Sequence, residues 1–343
     1  MIKLGILGCG AITRVRHISS ALVHPEVELS ALVDADIQRA INLRDMHGLK
    51  CQIATNHREI LGSVDAVINA LPNHVHAPIN LELLETGIHV LSEKPLAITS
   101  ADALSCAETA KRKGATLAVG MPFRFRESSR ILPLVLKNKE LGVPRSYAWD
   151  YGVPFDWPTA SSYFLSRKMA GGGVLIEEGV HLLDCLLSWF GDVIECDCQT
   201  DDWGGGLEAN VLLRMRHRSE IGELDGAVRL SRTYTLKNRL RVEGETAFAE
   251  ILRSHPDTLL VTRKMGDRMI QESLSFPKEA NAGSSNPFLD ELNDFIQAIQ
   301  KKRAPLVDGW EAARTLDLIE RCYATATRIP EPWATMDERR SIT

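Results

Sequence analysis

The chain has 343 residues, of which 44% are hydrophobic and 25% charged, and its formal net charge is -5 at pH 7. This composition is typical of a folded globular protein of roughly two domains, and it excludes disordered, collagen-like and coiled-coil classes. The negative charge disfavours a nucleic-acid binder, and no apolar run approaches the roughly 18 residues of a membrane span. The seven scattered cysteines favour free thiols, so we expect a cytoplasmic protein without nucleic-acid or membrane partners.

The N-terminal part of the chain alternates short apolar runs with helical patterns. The apolar runs are Leu4–Leu7, Val27–Val33, Ala66–Leu71, Ile88–Leu91 and Ala115–Val119. Two of the intervening helical stretches end in a glycine, Gly87 or Gly114, which is a common helix C-cap. Continuous apolar strands that alternate with helices predict a doubly wound parallel sheet, which we assign to residues 1–122.

The first predicted strand runs into a glycine-rich turn, Gly8-Cys9-Gly10, followed by Ala11 and Ile12. Glycines between a strand and a helix let backbone N–H groups approach a pyrophosphate at the helix N-terminus. The next residue is Thr13, where glycine or alanine usually allows close packing. We predict a dinucleotide site here, and the alternative is a tight turn that binds nothing.

An acidic residue, Asp34, stands at the end of the second predicted strand. Its carboxylate could accept hydrogen bonds from the adenosine ribose, whereas it would repel a 2′-phosphate. No arginine or lysine follows immediately to receive such a phosphate. The sequence therefore favours NAD over NADP as the cofactor.

Two further strands of this region end in polar segments, and ligands of open α/β sheets lie outside the carboxyl ends of the strands. We therefore predict that these segments face the cofactor, and the residues are Leu71, Pro72, Asn73, His76, Glu93 and Lys94. Lys94 could polarise a substrate oxygen, and the alternative is a solvated lysine in a loop.

After about Arg126 the pattern changes. Helical patterns cover residues 127–140 and 174–190, and strand-like runs joined by short loops predict a mainly antiparallel sheet. These runs are Val193–Gln199, Ala209–Met215, Gly226–Leu230, Thr233–Val242, Ala247–Leu252 and Thr258–Arg263. Two helical patterns follow, Phe288–Gln300 and Gly309–Ala324, and we assign residues 123–330 to a second domain and 331–343 to a polar tail.

One helix of the second domain carries an acid and a histidine, Glu177 and His181, after the triplet Gly171–Gly173. Residues four apart share a face of a helix, and histidine can exchange a proton near neutral pH. The alternative is a histidine that simply packs in the core.

Two cysteines of the predicted sheet, Cys196 and Cys198, would place both thiols on one strand face, with His217 as a further nearby group. Zinc sites usually show wider Cys spacing and four close ligands, and no second pair follows. We predict no metal site.

Four segments make the chain resemble the Gfo/Idh/MocA family of NAD(P)-dependent oxidoreductases, which includes glucose-fructose oxidoreductase and inositol dehydrogenase. They are Gly5–Ile12, Pro72–His76, Glu93-Lys94-Pro95 and Gly171–Asp184, and Gly120 with Arg124-Phe125 also fits the family pattern. The resemblance extends from Ile2 to about Tyr323. It implies a Rossmann domain followed by an α/β domain with a large open sheet, which commonly mediates homo-oligomers such as dimers or tetramers.

The resemblance also implies the chemistry: hydride transfer between a nicotinamide cofactor and a hydroxyl or carbonyl carbon of a sugar, polyol or related small molecule. In such enzymes the lysine of Glu-Lys-Pro and the histidine of Gly-x-His lie beside the reacting oxygen, and here these are Lys94 and His181. The family's usual aspartate is replaced by Glu177, which we expect to orient the imidazole or to bind a substrate hydroxyl. We therefore expect these three residues to line one cleft, although they are far apart in the sequence.

The substrate is expected to meet side chains near the domain junction. The candidates are Arg124, Trp157, Tyr163 and Asp184. Trp157 and Tyr163 could stack on a sugar ring, or they could be packing residues. Two other functions stay open: the same chemistry on a nucleotide-linked or carrier-linked sugar in polysaccharide biosynthesis, and a non-catalytic NAD(H)-sensing protein.

Overall fold

The computed structural model describes residues 1–156, 162–202, 207–219, 222–276 and 286–330. Trp157 and the predicted tail 331–343 lie outside these residues. The chain forms two compact units that are not contiguous in sequence. Of the described residues, the first unit contains 1–122, 162–171 and 286–317, and the second contains the remainder. The domain boundaries inferred from the sequence stay predictions.

The first unit is built on a six-stranded sheet with the order β3-β2-β1-β4-β5-β6. The strands are β1 Ile2–Leu7, β2 Val27–Val33, β3 Gln52–Ala54, β4 Ala66–Asn69, β5 His89–Ser92 and β6 Leu117–Val119. All neighbouring strands are parallel, as the sequence predicted. Strand β3 was not predicted, because three residues that begin with an exposed glutamine form no recognisable apolar run.

Helices connect and cover the strands in both units. They are α1 Ile18–Val23, α2 Ile37–Met46, α3 Asn73–Glu85, α4 Ser100–Lys113, α5 Glu127–Lys137, α6 Arg167–Ala170, α7 Val180–Phe190, α8 Pro287–Lys301 and α9 Gly309–Ala324. The predicted C-cap at Gly114 is confirmed, since this residue ends α4 with a φ of 64°. Among the described helices, none is long and apolar enough to cross a membrane.

Helix α8 belongs to the core of the first unit, although it follows the second sheet in sequence. Its residues Leu292, Phe295 and Ile296 are buried in one cluster with Leu4 and Ile6 of β1. Burial of such side chains contributes about 1.5–3 kcal/mol each. The parallel sheet is therefore completed by a helix from the C-terminal part of the chain.

The second unit is built on a nine-stranded sheet with the order β14-β13-β12-β11-β7-β10-β9-β8-β15. The strands are β7 Pro144–Gly152, β8 Asp192–Thr200, β9 Asn210–Ser219, β10 Gly222–Ser231, β11 Arg239–Gly244, β12 Ala247–Leu252, β13 His255–Met265, β14 Arg268–Leu274 and β15 Thr327–Arg328. Among the described strands of this sheet, the pairs β7–β10 and β8–β15 are parallel and the other pairs are antiparallel, so the predicted mainly antiparallel character is confirmed.

Several strand limits differ from the sequence prediction. The run predicted from Thr233 forms a strand only from Arg239, and Asn238 before it has a φ of 53°, which a strand does not accommodate. Strand β14 was missed because its residues are mostly exposed and polar, which removes the apolar pattern.

The two faces of β9 differ in chemistry. Leu213, Met215 and His217 are buried, whereas the alternating arginines form exposed ion pairs with neighbouring strands. These pairs are Arg214–Asp197, Arg216–Glu195, Arg216–Asp225 and Arg218–Glu223. One face of the sheet thus packs in the core and the other presents a ladder of charges.

Candidate active site

The turn after β1 contains two glycines, and the surroundings of their Cα atoms differ. Gly8 has a φ of 89°, and a Cβ there would lie 2.5 Å from the carbonyl oxygen of Ala70, so the fold itself demands glycine. Gly10 has no positive φ, and a Cβ there would meet no described atom within 4 Å. The space above Gly10 is therefore open to a ligand, which fits a dinucleotide pyrophosphate approaching Ala11 and Ile12.

Thr13 explains how the turn tolerates a residue larger than alanine. Its side chain is fully buried, and its hydroxyl donates a hydrogen bond to the carbonyl oxygen of Gly8 at 2.6 Å. This hydrogen bond thus stabilises the glycine turn on its buried side. The following residues, Thr13–His17, form a π-helical turn, a feature that often marks functional sites.

Asp34 connects the end of β2 to the glycine turn. One carboxylate oxygen accepts the backbone N–H of Cys9 at 2.8 Å, and the other accepts that of Asp36 at 2.9 Å. An ionised carboxylate has about four acceptor positions, so it can still accept a ribose hydroxyl. Burial of the Cys9 thiol, and then the negative charge of Asp34, raise the pKa of that thiol to about 12.

His76 ties together the segments after β4 and β5. Its Nδ1 lies 2.7 Å from the carbonyl oxygen of Pro95, and its Nε2 lies 2.6 Å from that of Leu71. The ring is buried, and burial lowers its pKa. His76 therefore supports these loops from within the protein, and a direct contact of its ring with a cofactor stays a prediction.

The start of α3 is fixed in a similar way. Leu71 and Pro72 are partly buried, and the side-chain amide of Asn73 donates to the carbonyl oxygen of Ala170 at 2.8 Å. The strand-end loop is thus anchored to the short helix α6. These three residues stay predicted cofactor contacts.

Glu93 is a buried carboxylate beside Lys94. It lies 2.7 Å from Nε2 of His17 and accepts the backbone N–H of Lys94 at 3.1 Å. Burial alone would raise the pKa of Glu93, but the hydrogen bond from His17 and the charges of His17 and Lys94 hold it below its ordinary value. The carboxylate therefore fixes the strand end from which the partly buried Lys94 extends.

Two residues distant in sequence also lie near Glu93. Burial, and then the charge of Glu93, raise the pKa of Tyr163, a candidate substrate residue. Glu291 on α8 is 2% exposed. Burial raises its pKa well above the ordinary value, and the charge of Glu93 adds to this effect. Sequence reasoning missed Glu291, because one acid in an amphipathic helix resembles any surface acid.

Glu177 and His181 lie on neighbouring turns of one helix. Glu177 belongs to a π-helical turn, Leu175–Gly179, which leads directly into α7. Glu177 forms an ion pair with Arg232, and both side chains are largely buried. Arg232 was not predicted, since it stands alone in a loop after β10.

His181 is only 7% exposed and stacks on the ring of Phe123, with centroids 4.7 Å apart and planes 15° apart. The guanidinium carbon of Arg126 lies 3.5 Å from the centroid of the same phenyl ring. Because the imidazole already covers one face, Arg126 must cover the other. The imidazole orientation is thus set by Phe123.

The remaining predicted pair, Arg124 and Asp184, is internal to the second unit. Their side chains are 3.3 Å apart, and Asp184 is almost fully buried. The pair can fix the segment of Phe123 against α7. Direct contact of either residue with a substrate stays a prediction.

An acid that the sequence did not single out, Glu208, holds the start of the Glu177 helix. Its carboxylate accepts the backbone N–H groups of Gly173 and Leu175, and the hydroxyl of Tyr323. No local pattern reveals it, because its partners are distant in sequence. Among the described residues there is no group of three or more His, Cys, Asp or Glu side chains that could hold a metal ion.

The structure thus assembles each half of the predicted site within its own unit. Gly8, Gly10 and Asp34 come together in the first, where Glu93 fixes Lys94. Glu177 and His181 share a helix in the second. The convergence of Lys94 with that helix stays a prediction.

Comparison with known proteins gives matches over both halves of the chain. The family profile "Oxidoreductase family, NAD-binding Rossmann fold" matches residues 2–121, and "Oxidoreductase family, C-terminal alpha/beta domain" matches residues 135–328. D-glucoside 3-dehydrogenase of Escherichia coli (strain K12) is 30% identical over 192 residues, which are 54% of this chain and 53% of that protein. The match spans about half the length of the first curated relatives.

A longer match covers nearly the whole chain. The dTDP-3,4-didehydro-2,6-dideoxy-alpha-D-glucose 3-reductase of Streptomyces antibioticus is 24% identical over 342 residues, 95% of this chain and 97% of that protein. Among solved structures, levoglucosan dehydrogenase in complex with NADH and levoglucosan has a TM-score of 0.82 at 17% identity, covering 94% of this chain and 96% of the other. At that identity the likeness concerns the fold.

Proposed function

Because the chain belongs to the Gfo/Idh/MocA oxidoreductase family, we propose that it transfers a hydride between a nicotinamide dinucleotide and a hydroxyl- or carbonyl-bearing carbon of a sugar or polyol. The observation that carries the proposal is that Lys94 and His181 are both present and both held by their surroundings. Glu93 fixes the backbone of Lys94, and Phe123 fixes the imidazole of His181.

The glycine turn and Asp34 would hold the dinucleotide. The N–H groups of Gly8 and Cys9 are bonded to Val33 and Asp34, so those of residues 10–12 would face the pyrophosphate, which the open space at Gly10 would admit. The Asp34 carboxylate accepts the ribose hydroxyls of NAD and repels the 2′-phosphate of NADP. NAD is therefore the proposed cofactor, and a competition titration of NADH against NADPH tests this choice.

The proton that accompanies hydride transfer needs an acceptor on the protein. In the oxidation direction, the substrate hydroxyl gives its proton to an imidazole nitrogen of His181. The Lys94 ammonium donates a hydrogen bond to the same oxygen and stabilises the negative charge that develops there. The bound cofactor supplies the hydride acceptor, so the protein contributes placement and proton transfer.

Glu177 is proposed to act from the same helix. The ion pair with Arg232 holds its carboxylate in place. The remaining lone pairs can accept either an imidazole N–H of His181 or a neighbouring substrate hydroxyl. Glu177 stands where the family usually has the shorter aspartate, and here its ion-pair partner is Arg232.

A substrate panel tests the proposed activity directly. Purified protein with NAD would be assayed against D-glucose, a methyl glucoside, glucose 6-phosphate, myo-inositol and UDP-glucose, with absorbance of the reduced cofactor as readout. Turnover of a free sugar or polyol supports the proposal, and turnover of UDP-glucose alone would support the nucleotide-sugar alternative. NADH binding without any turnover would instead favour a sensing protein.

We also propose a homo-oligomer, a dimer or tetramer, formed through the open face of the second sheet. The charged ladder of β8 to β10 on that face offers self-complementary pairing across a two-fold axis. Sedimentation at micromolar concentration tests it, because a single 38.0 kDa species would exclude the assembly.

A cytoplasmic location is proposed from the cysteines. The seven cysteines are free thiols in the structure, as expected in a reducing compartment. Fractionation of cells that express the tagged protein tests this.

A further inference from the structure

The helix that carries Glu177 and His181 begins at two glycines that leave no room for side chains. A Cβ on Gly173 would lie 2.0 Å from the carbonyl oxygen of Glu208, and a Cβ on Gly172 would lie 2.1 Å from the hydroxyl of Tyr323. Neither glycine has a positive φ. Glycine is therefore needed here for the close approach of Glu208 and Tyr323.

Glu208 makes several hydrogen bonds in this small space. Both of its carboxylate oxygens lie 2.9 Å from the backbone nitrogen of Gly173, and Oε1 also accepts the N–H of Leu175 at 3.0 Å. Its own carbonyl oxygen accepts the N–H of Val174 at 2.9 Å. The first N–H groups of a helix have no partner within the helix, so one residue satisfies three of them.

Tyr323 of α9 fixes the carboxylate in turn. Its hydroxyl donates to Oε1 of Glu208 at 2.7 Å. Glu208 is 1% exposed, and this burial raises its pKa, although the hydrogen bonds from Tyr323, Leu175 and Gly173 oppose the effect. The fold therefore keeps an acid in a place where burial disfavours its charge.

We propose that Glu208 and Tyr323 are positioning residues, which set the start of the helix and thereby the placement of Glu177 and His181 for proton transfer. The carboxylate accepts the N–H groups of Gly173 and Leu175, and Glu177 follows within one turn. A shift of the helix start moves both reactive side chains together. The inference rests on the proposed function, because it assigns a purpose to the placement of His181.

The test compares four variants in the full-length protein. Glu208→Met removes all side-chain hydrogen bonds at similar length, and Tyr323→Phe removes only the hydroxyl. Glu208→Gln keeps an acceptor at the position of Oε1. Glu250→Gln is the matched control, because Glu250 is also buried in the second unit but its ion pairs are with Arg239 and Arg241.

Three measurements would be made on each variant: kcat and KM with NAD and the panel sugar that turns over fastest, the midpoint of thermal unfolding, and the imidazole ¹H–¹³C resonance of His181. The resonance would be assigned by its loss in His181→Ala. Misplacement of reacting groups by about 1 Å can reduce rates about 10²-fold. We expect Glu208→Met to lower kcat about 100-fold and Tyr323→Phe about 10-fold, with KM for NAD within two-fold.

The His181 resonance should move in both of these variants. Glu208→Gln should retain kcat within about three-fold, and the control should leave both kcat and the resonance unchanged. A folded Glu208→Met with unchanged kcat and an unchanged His181 resonance would overturn the proposal, since Glu208 would then serve stability alone.

If Glu208→Met does not fold, Tyr323→Phe decides by the same two readouts. If the wild-type protein turns over no panel sugar, the proposed function fails separately. The His181 resonance still tests the positioning role in that case, because it does not depend on turnover.

Discussion

The Nε2 atom of His17 lies 2.7 Å from Oε1 of Glu93, and both side chains are buried. His17 ends the π-helical turn that follows the glycine turn, and Glu93 begins the segment that carries Lys94. The contact therefore joins the proposed pyrophosphate site to the proposed reacting end of the cofactor. Its loss should affect stability in a pH-dependent way.

We predict that His17→Leu lowers stability at neutral pH by about 3–5 kcal/mol, because it leaves a buried carboxylate without its main partner. In the wild type the pKa of Glu93 is below its ordinary value, so its contribution is present above that ordinary value and is lost as pH falls through the folded value. In the variant, burial should dominate and raise the pKa of Glu93, so that ionising Glu93 destabilises the fold. The loss of stability relative to the wild type should therefore grow as pH rises from acid to neutral. Urea unfolding between pH 4 and pH 7 measures the difference, and a deficit independent of pH would contradict the assignment.

The two glycines of the turn should respond differently to alanine. Gly8→Ala should destabilise the fold, because of its positive φ and the contact with the Ala70 carbonyl. Gly10→Ala should leave the unfolding midpoint nearly unchanged but weaken NADH binding about ten-fold or more, since its Cβ would enter the ligand space. Calorimetry and NADH fluorescence titration separate the two effects. Wild-type NADH affinity in Gly10→Ala would place the pyrophosphate elsewhere.

Lys94→Ala and His181→Ala should each reduce kcat/KM by about 10²–10⁴, the usual contribution of a positioned acid–base or polarising group. NADH affinity should change little in His181→Ala, because this residue acts on the proton. Glu177→Asp should be tolerated or alter substrate preference, whereas Glu177→Ala leaves Arg232 buried beside an empty position and should be much worse. Steady-state kinetics measure all four, and full activity in the three alanine variants would locate the chemistry elsewhere.

Asp34→Ser combined with Ala35→Arg should move cofactor preference toward NADP. The carboxylate that repels a 2′-phosphate is removed and a guanidinium is added. The variant should also be less stable by about 1–3 kcal/mol, because the buried N–H of Cys9 loses its acceptor. The ratio of kcat/KM for the two cofactors is the measurement. A wild type that already prefers NADPH would refute the role of Asp34.

Cys196 and Cys322 should form a disulfide under mild peroxide. Their sulfur atoms lie 3.2 Å apart, and the hydrogen bond from Cys322 lowers the pKa of Cys196. Peroxide would oxidise the Cys196 thiolate to a sulfenic acid, which the Cys322 thiol then attacks with loss of water. We expect mass spectrometry to show this bond, dithiothreitol to reverse it, and Cys322→Ser to prevent it. Cys106 serves as the control, because burial raises its pKa to about 12.

Much of the first unit could be predicted because its strands are continuous apolar runs and its turns carry glycine. Gly8, Gly10 and Asp34 are local signals, and the structure places them together. What the sequence could not reveal are partners that meet only through folding. Arg232 beside Glu177 and Glu208 below Gly173 are single residues, and nothing in their neighbourhood distinguishes them from surface charges.

The secondary structure likewise divides into elements that the sequence pattern predicts and elements that it misses. Strand β14 and the short strand β3 were missed because exposed or very short strands lack an apolar period. The helices α8 and α9 were predicted with nearly correct limits, since their amphipathic pattern is strong. The sequence pattern could not show, however, that α8 packs against the first sheet.

That packing bears on recombination between relatives. A chimera that exchanged only residues 1–122 would place Leu292, Phe295 and Ile296 of one parent against the sheet of another. Mismatched volumes in such a core destabilise by about 1–3 kcal/mol per overpacked site. The unit that can be inherited as a whole therefore includes residues 162–171 and 286–317 together with 1–122, and a functional hybrid needs crossovers around both later segments rather than one junction after β6.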